Sequence, residues 1–259
     1  MAHLVPEGDL VLEFARHTGA VQAVSVISGT FMAIGPNLPF LPQLLMMMRT
    51  GRTEGFSTLV CFILLVSGII RLFWWSLVHF ETPLLWQSVL SLLFQLLLLQ
   101  MCLAIRRRAT KRDDAIVDTG ELDMLPTGGR RLWDCRLRDW WRWTAMVDYI
   151  AVLAAFSVLL HVLCLTIGHL GWFREVLGYS SLLIEAMIGV PQLVSNQRRR
   201  SVQGLSKMMI AGWIIGDTYK VAYFVLRSAP TQFVLCGAVQ IAVDTLIVLQ
   251  MWFFRGRRD

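Results

Sequence analysis

The sequence predicts an all-α membrane protein of seven transmembrane helices, built as two parallel three-helix repeats joined by a linker helix. Three observations lead there. Of 259 residues, 56% are hydrophobic and 16% charged, and the mean hydropathy is +0.58, whereas a soluble domain carries about a quarter charged residues. Apolar stretches long enough to cross a hydrocarbon core of about 30 Å recur along the chain. The dipeptide Pro-Gln occurs twice, at Pro42-Gln43 and Pro191-Gln192, each time near the same end of an apolar segment and 149 positions apart.

The spans are read in order. Residues 1–20 contain Glu7, Asp9 and Glu13 and no basic stretch followed by a short apolar run, so no cleavable signal peptide is expected. The first span, Val21–Leu41, then acts as its own insertion signal. The second and third follow at Phe56–Val78 and Pro83–Ile105. The fourth, Trp143–Leu170, is longer than its apolar core. The fifth, Leu177–Val194, is the shortest, and Leu205–Leu226 and Pro230–Phe254 complete the set.

Charge placement orients these spans. Nineteen of the 24 Lys and Arg residues fall after spans one, three, five and seven, among them Arg49, Arg106–Arg108, Arg198–Arg200 and Arg255. The other side holds Arg16, Arg174 and Arg227, while Arg71 and Lys220 lie inside spans. The positive-inside rule makes the C-terminus cytosolic and the N-terminus lumenal or extracellular. The net charge of +6 is thus a topology signal and requires no nucleic acid.

The duplication extends beyond the dipeptide. The same offset maps Thr53-Glu54-Gly55-Phe56-Ser57 onto Val202-Gln203-Gly204-Leu205-Ser206, and Arg71 onto Lys220. Pro83 and Pro230 open the third helix of each unit, and Leu99-Gln100-Met101 matches Leu249-Gln250-Met251 near its end. With an odd number of spans per unit, one extra crossing restores the orientation of the second copy, giving parallel repeats. The predicted divisions are a lumenal N-terminus (1–20), a first repeat (21–105), a cytosolic loop (106–142), a linker helix (143–170), a second repeat (171–254) and a cytosolic C-terminus (255–259). In the loop, Trp133, Trp140, Trp141 and Trp143 alternate with arginines. That pattern suits an interfacial belt, and the sharper alternative is binding of acidic lipid headgroups.

Proline inside a helix lacks a donor and crowds the carbonyl one turn back. Pro42 is expected to free the carbonyl of Leu38, and Pro191 that of Met187, each to be met by a neighbouring Gln amide or water. Pro36, Pro39 and Pro42 fall every three residues in the first copy. Pro42, Gln43, Pro191 and Gln192 are therefore candidate hinges; a static kink is the other reading. Charged residues inside spans are costly and point to function. Arg71, Glu185, Asp217, Lys220 and Asp244 are the candidate substrate pathway, with Asp217 and Lys220 sharing a helix face. Arg71 and Lys220, at equivalent repeat positions, are placed to face each other across a pseudo-twofold axis. The bland alternative is an ion-pair network that fixes helix register. Asp148 reads as interfacial, and His161 as hydrogen-bonded to a neighbouring helix.

Nothing resembles an enzyme site: there is no Gly-rich phosphate loop, nucleophile elbow or His-x-x-x-His pair, and no metal or cofactor is expected. The five cysteines show no disulfide framework.

The paired Pro-Gln motifs, the following Gly-Phe-Ser or Gly-Leu-Ser, and the three–one–three plan resemble the PQ-loop (MtN3/saliva-related) membrane family over nearly the whole chain. Further matching segments are Pro83-Leu84-Leu85-Trp86-Gln87-Ser88, Glu185 to Leu193, Gly216-Asp217-Thr218-Tyr219-Lys220 and Gln232 to Gly237. The resemblance implies an endomembrane protein of the endosome and trans-Golgi, in a subgroup associated with phospholipid scrambling and endosome-to-Golgi traffic. Other relatives export cystine or cationic amino acids together with protons. Three functions follow: a phospholipid scramblase, a proton-coupled exporter of a small solute, or a non-transporting scaffold or cargo receptor. The expected partners are membrane lipids under the first, and protons with a small solute under the second.

Overall fold

The computed structural model describes residues 7–38, 40–51, 53, 58–117, 145–200 and 207–254. Glu54–Ser57, Val202–Ser206, the tryptophan-rich stretch of the loop and residues 255–259 lie outside the described residues. Among the described residues all regular structure is helical. The helices are α1 (Glu7–Ile34), α2 (Phe40–Thr50), α3 (Thr58–Val78), α4 (Thr82–Val117), α5 (Met146–Ile167), α6 (Gly171–Ala186), α7 (Val190–Arg199), α8 (Lys207–Leu226) and α9 (Thr231–Phe253). Single 3-10 turns, Gly35–Asn37 and Met187–Gly189, precede α2 and α7.

Five helical stretches are long and apolar enough to cross a membrane: Thr58–Val78, Thr82–Arg108, Met146–Ile167, Gly171–Arg198 and Thr231–Phe253. A sixth results when Gln22–Asn37 and Phe40–Thr50, bent by 40°, count as one span. The sequence predicts seven. The difference is α8, whose apolar run is interrupted by Asp217 and Lys220. At its 20 residues and about 1.5 Å rise per residue, α8 is about 30 Å long, and it packs along α9. Other boundaries also shift. α1 begins at Glu7, inside the predicted N-terminal segment, and α4 runs to Val117, past the expected end at Ile105. α6 starts six residues before the predicted fifth span, and α5 is trimmed to Met146–Ile167.

The end bearing Arg49, Arg106–Arg108 and Arg198 is called the basic end below, and the other the opposite end. The backbone repeats itself. Four described residues have positive φ: Gly51 (61°), His79 (51°), Arg200 (47°) and Ser228 (50°). They form two pairs, 51 with 200 and 79 with 228, each separated by the 149 residues of the sequence repeat. Each residue ends a helix in the left-handed conformation, which releases the chain into a turn. At Ser228 the ending is completed by Ala229 N donating to the Phe224 carbonyl at 2.9 Å, the six-to-one bond of a Schellman cap. Glycine takes this conformation freely, whereas His79, Arg200 and Ser228 carry a Cβ into it.

The two halves meet chiefly where α3 packs on α6. Small residues make that close approach, as in other membrane helix pairs. Ser67 Oγ donates to the Ser181 carbonyl at 2.6 Å. Gly178 lies under the Trp74 ring, where an added Cβ would come within 2.7 Å of Trp74 Cζ2. The pseudo-equivalent seam, α1 with α8, repeats this contact more loosely. Gly29 lies beside Tyr223, whose hydroxyl is 3.7 Å from a Cβ built at Gly29; residues 29 and 223 are the 149-offset counterparts of 178 and 74. The linker α5 packs on α3 and α4. Its outer face, with Val147, Val158 and Leu165 from 65% to 73% exposed, is apolar surface of the kind that meets lipid.

Candidate functional site

The Pro-Gln breaks come first, because they shape the helices that carry the site. The expected free carbonyls are not free. Leu41 N donates to the Leu38 carbonyl at 3.1 Å, and Val190 N donates to the Met187 carbonyl. Each carbonyl that proline cannot serve is taken by the residue just before the proline, through a 3-10 turn, so neither a Gln amide nor water is required. The solution is identical in both repeats at the 149 offset. Gln192 Nε2 instead donates to Asn196 Oδ1 at 2.7 Å, and Gln43 is half-buried. The first break is the sharper, in keeping with its three prolines.

All five charged candidates converge. Arg71 of α3 donates from Nη2 to Glu185 Oε2 of α6. Lys220 Nζ of α8 lies 3.6 Å from Glu185 Oε1 and 3.5 Å from Asp217 Oδ1. Asp244 of α9, one turn from Gln240, lies against Asp217. Arg71 and Lys220, repeat equivalents, thus face each other with Glu185 between them. Arg71, Asp217 and Asp244 are 4%, 7% and 5% exposed. This is an ion-pair network at depth that spans four helices and both repeats.

Uncharged amides complete the site, and the sequence reading missed them. Gln240 of α9 accepts from Lys220 Nζ at 3.4 Å, and Gln87 of α4 lines the same small cavity with Cys236 and Gly237. Glutamines inside apolar helices were the available signal. The cavity leaves about 20 Å³ to the centre of a water molecule, roughly one water's worth.

Toward the opposite end the cluster is sealed by aromatic rings. Trp74, Phe80, Phe224 and Phe233 pack in tilted and edge-to-face contacts with centroids 4.8 to 5.3 Å apart. Beyond them Arg227 Nε meets Glu81 Oε1 at 2.8 Å, and Arg227 Nη1 donates to Ser25 Oγ at 3.1 Å. Gln232 donates to Glu175 in the same layer. Toward the basic end the two seams differ. On the α3–α6 side Ser67 bonds across to Ser181. On the α1–α8 side its counterpart, Gly216, has nothing of the described chain within 4 Å of an added Cβ, and neither has Gly212 one turn further on. Gly212, Gly216 and Tyr223 lie on one stripe of α8. Tyr223 touches Gly29, and Tyr219 Oη donates to the Ser28 carbonyl at 3.0 Å. Among the described residues the α1–α8 seam is therefore closed at the opposite end and open below Tyr219.

Asp148 lies in the first turn of α5, at the helix end where the sequence places it, and is 4% exposed. One sequence expectation is corrected. His161 meets the Phe73 ring, with centroids 6.2 Å apart, rather than a hydrogen-bond partner among the described residues. At the basic end Gln250 Nε2 donates to the Leu193 carbonyl at 3.0 Å and to Gln197 Oε1 at 3.3 Å, tying α9 to α7.

Comparison with known proteins follows the same internal spacing. The family described as "PQ loop repeat" matches residues 24–84 and again 173–233. Scramblase ANY1 of Saccharomyces cerevisiae is similar at 22% identity, over 78% of this chain and 64% of that protein. Vacuolar histidine transporter YPQ3 of the same organism is similar at 29% identity, over 32% of this chain and 28% of that protein. The chain thus aligns with less than two thirds of the length of either relative. No solved structure matches it. Two copies of this repeat, at the spacing that also pairs the left-handed residues and the aromatic–glycine contacts, make the chain a member of the PQ-loop repeat family of integral membrane proteins.

Proposed function

We propose that the chain is a phospholipid scramblase of the endosomal and trans-Golgi membranes, with its basic end in the cytosol and its N-terminus in the lumen. In this reading seven spans form two parallel three-helix repeats around a linker helix, and no covalent chemistry is involved. A scramblase needs polar groups at depth that acyl chains can approach from the side while their headgroups cross. The observation that carries the reading is the inequality of the two seams. Ser67 and Ser181 close one, while in the other a Cβ at Gly216 or Gly212 meets nothing of the described chain within 4 Å, one helical turn from Lys220 and the charged cluster. The likeness to Scramblase ANY1 over most of this chain supports it.

A second reading, export of a small solute, draws on the aromatic seal and the Glu81–Arg227 pair, which would close the lumenal side of an alternating-access site, and on the shorter likeness to Vacuolar histidine transporter YPQ3. The test is reconstitution of purified protein in liposomes carrying acyl-labelled fluorescent lipid in both leaflets. Scrambling lets dithionite bleach nearly all the label. Bleaching confined to the outer leaflet, as in protein-free vesicles, rejects the scramblase.

A further inference from the structure

The charged cluster is unbalanced and incomplete. Two cations, Arg71 and Lys220, stand against three carboxylates, Glu185, Asp217 and Asp244. Glu185 engages both cations, Lys220 also reaches Asp217, and Asp244 lies against Asp217, two carboxyl groups that share a proton unless a cation joins them. Two polar atoms within the cluster have no hydrogen-bond partner among the described residues: Arg71 Nε, a donor, and Asp244 Oδ2, an acceptor. Both residues are more than nine-tenths buried. Buried polar groups are normally paired, and an unpaired one calls for a ligand, ion or water.

One ligand chemistry answers both vacant positions. An anion accepts from Arg71 Nε and Lys220, and an ammonium donates to Asp244 in place of the proton it shares with Asp217. Building on the scramblase reading, we infer that this cluster is a binding site for the headgroup of a zwitterionic phospholipid bearing a primary ammonium. Its phosphate faces Arg71 and Lys220, its ammonium faces Asp217 and Asp244, and it enters through the α1–α8 seam beside Gly216. An anionic headgroup without an amine brings no donor to Asp244 and leaves its Oδ2 unpaired. The cavity beside Arg71 and Lys220 has room for about one water and is not lined by Asp217, Asp244 or Gly216, so headgroup entry requires the helices to part. A free amino acid presents the same pair of charges without acyl chains, and the test separates it.

The experiment compares acyl-labelled phosphatidylethanolamine with acyl-labelled phosphatidylglycerol in the dithionite assay, using full-length protein in neutral vesicles. Wild type is expected to scramble phosphatidylethanolamine about tenfold faster, the weight of one charge-assisted contact. Asp244→Asn abolishes that preference, and Asp244→Glu, which restores the carboxylate, recovers it; the pair excludes a simple folding defect. Equal rates for the two lipids in wild type, or a preference that survives Asp244→Asn, overturn the headgroup site while leaving the scramblase intact. Failure of wild type to move either lipid overturns the scramblase and this site with it. Uptake of a radiolabelled zwitterionic amino acid that depends on Asp244, in vesicles where no lipid moves, reassigns the cluster to a free solute and likewise overturns the lipid proposal.

Discussion

Arg71 and Glu185 form an ion pair that joins the first repeat to the second, and Lys220, the repeat counterpart of Arg71, reaches the same carboxylate. Duplication supplied two cations at equivalent positions, but only one anion between them: the counterpart of Glu185 in the first repeat is Pro36. Breaking a buried pair strands a charge, at a cost of about 3–5 kcal/mol. Lys220 still reaches Glu185 at 3.6 Å when Arg71 is lost, so Arg71→Gln is expected to lower the unfolding midpoint in micelles by less than that full cost. Glu185→Gln lowers it strongly by leaving two cations facing each other. The double variant Arg71→Met with Glu185→Met should recover most of the loss, because removing both charges also removes their desolvation cost. A double variant no more stable than the worse single one contradicts the pairing.

The two seams separate under the smallest substitution. At Gly178 an added Cβ meets the Trp74 ring at 2.7 Å, and overpacking of this kind costs about 1–3 kcal/mol. At Gly216 nothing of the described chain lies within 4 Å, and alanine gains about 1 kcal/mol of helix propensity over glycine. Thermal unfolding should thus show Gly178→Ala destabilised and Gly216→Ala unchanged or stabilised. Gly216→Trp fills the open seam, and the dithionite assay should show slower scrambling. Unimpaired scrambling in a folded Gly216→Trp protein removes the seam from the lipid route.

At the opposite end Glu81 and Arg227 join the α3–α4 turn to the end of α8. The Arg227 side chain is 41% exposed, so its loss should change stability by no more than about 1 kcal/mol. Its effect on accessibility is distinct, because Cys236 lies behind the aromatic layer and is 3% exposed. With the other cysteines replaced by serine, Arg227→Gln is expected to raise labelling of Cys236 by a membrane-impermeant maleimide about fivefold, equivalent to ~1 kcal/mol of closure. An unchanged rate means that the rings alone form the seal.

Much of this was legible in the chain because membrane proteins write their constraints in coarse characters. Apolar run length and the 149-residue repeat located most helices, and a charge buried in an apolar run is conspicuous enough that Arg71, Glu185, Asp217, Lys220 and Asp244 were all marked before their positions in space were known. Amides are less conspicuous. Gln87 and Gln240 complete the cavity, yet a glutamine in an apolar helix also faces headgroups or neighbouring backbone, as Gln250 does. The burial of Asp148 is not legible either, because proximity to a helix end says nothing about which side of the helix is covered. The open seam was not legible at all. It depends on what is missing opposite Gly216, and pairing between distant helices leaves no periodicity in either.

The proline breaks lead to the last prediction. Leu41 and Val190 already supply the hydrogen bonds that Pro42 and Pro191 cannot, so the backbone is satisfied in the bent state. Replacing Pro191 by alanine adds a donor that can reach the Met187 carbonyl in a regular α-helix, in competition with Val190. Pro191 stands in the first turn of α7, where proline is tolerated, but in a helix continuous from α6 it would cost about 3 kcal/mol, so Pro191→Ala should unfold at the same or a higher temperature than wild type. A straightened α6–α7 also holds the second repeat in one shape, so the scrambling rate in reconstituted vesicles should fall several-fold although stability rises. Pro42→Ala is expected to act more weakly, because Pro36 and Pro39 still break the first copy. The two proteins together distinguish a hinge from a fixed kink. Higher stability with unaltered scrambling in Pro191→Ala makes the bend a packing feature, and the opposite movement of stability and rate makes it a moving part.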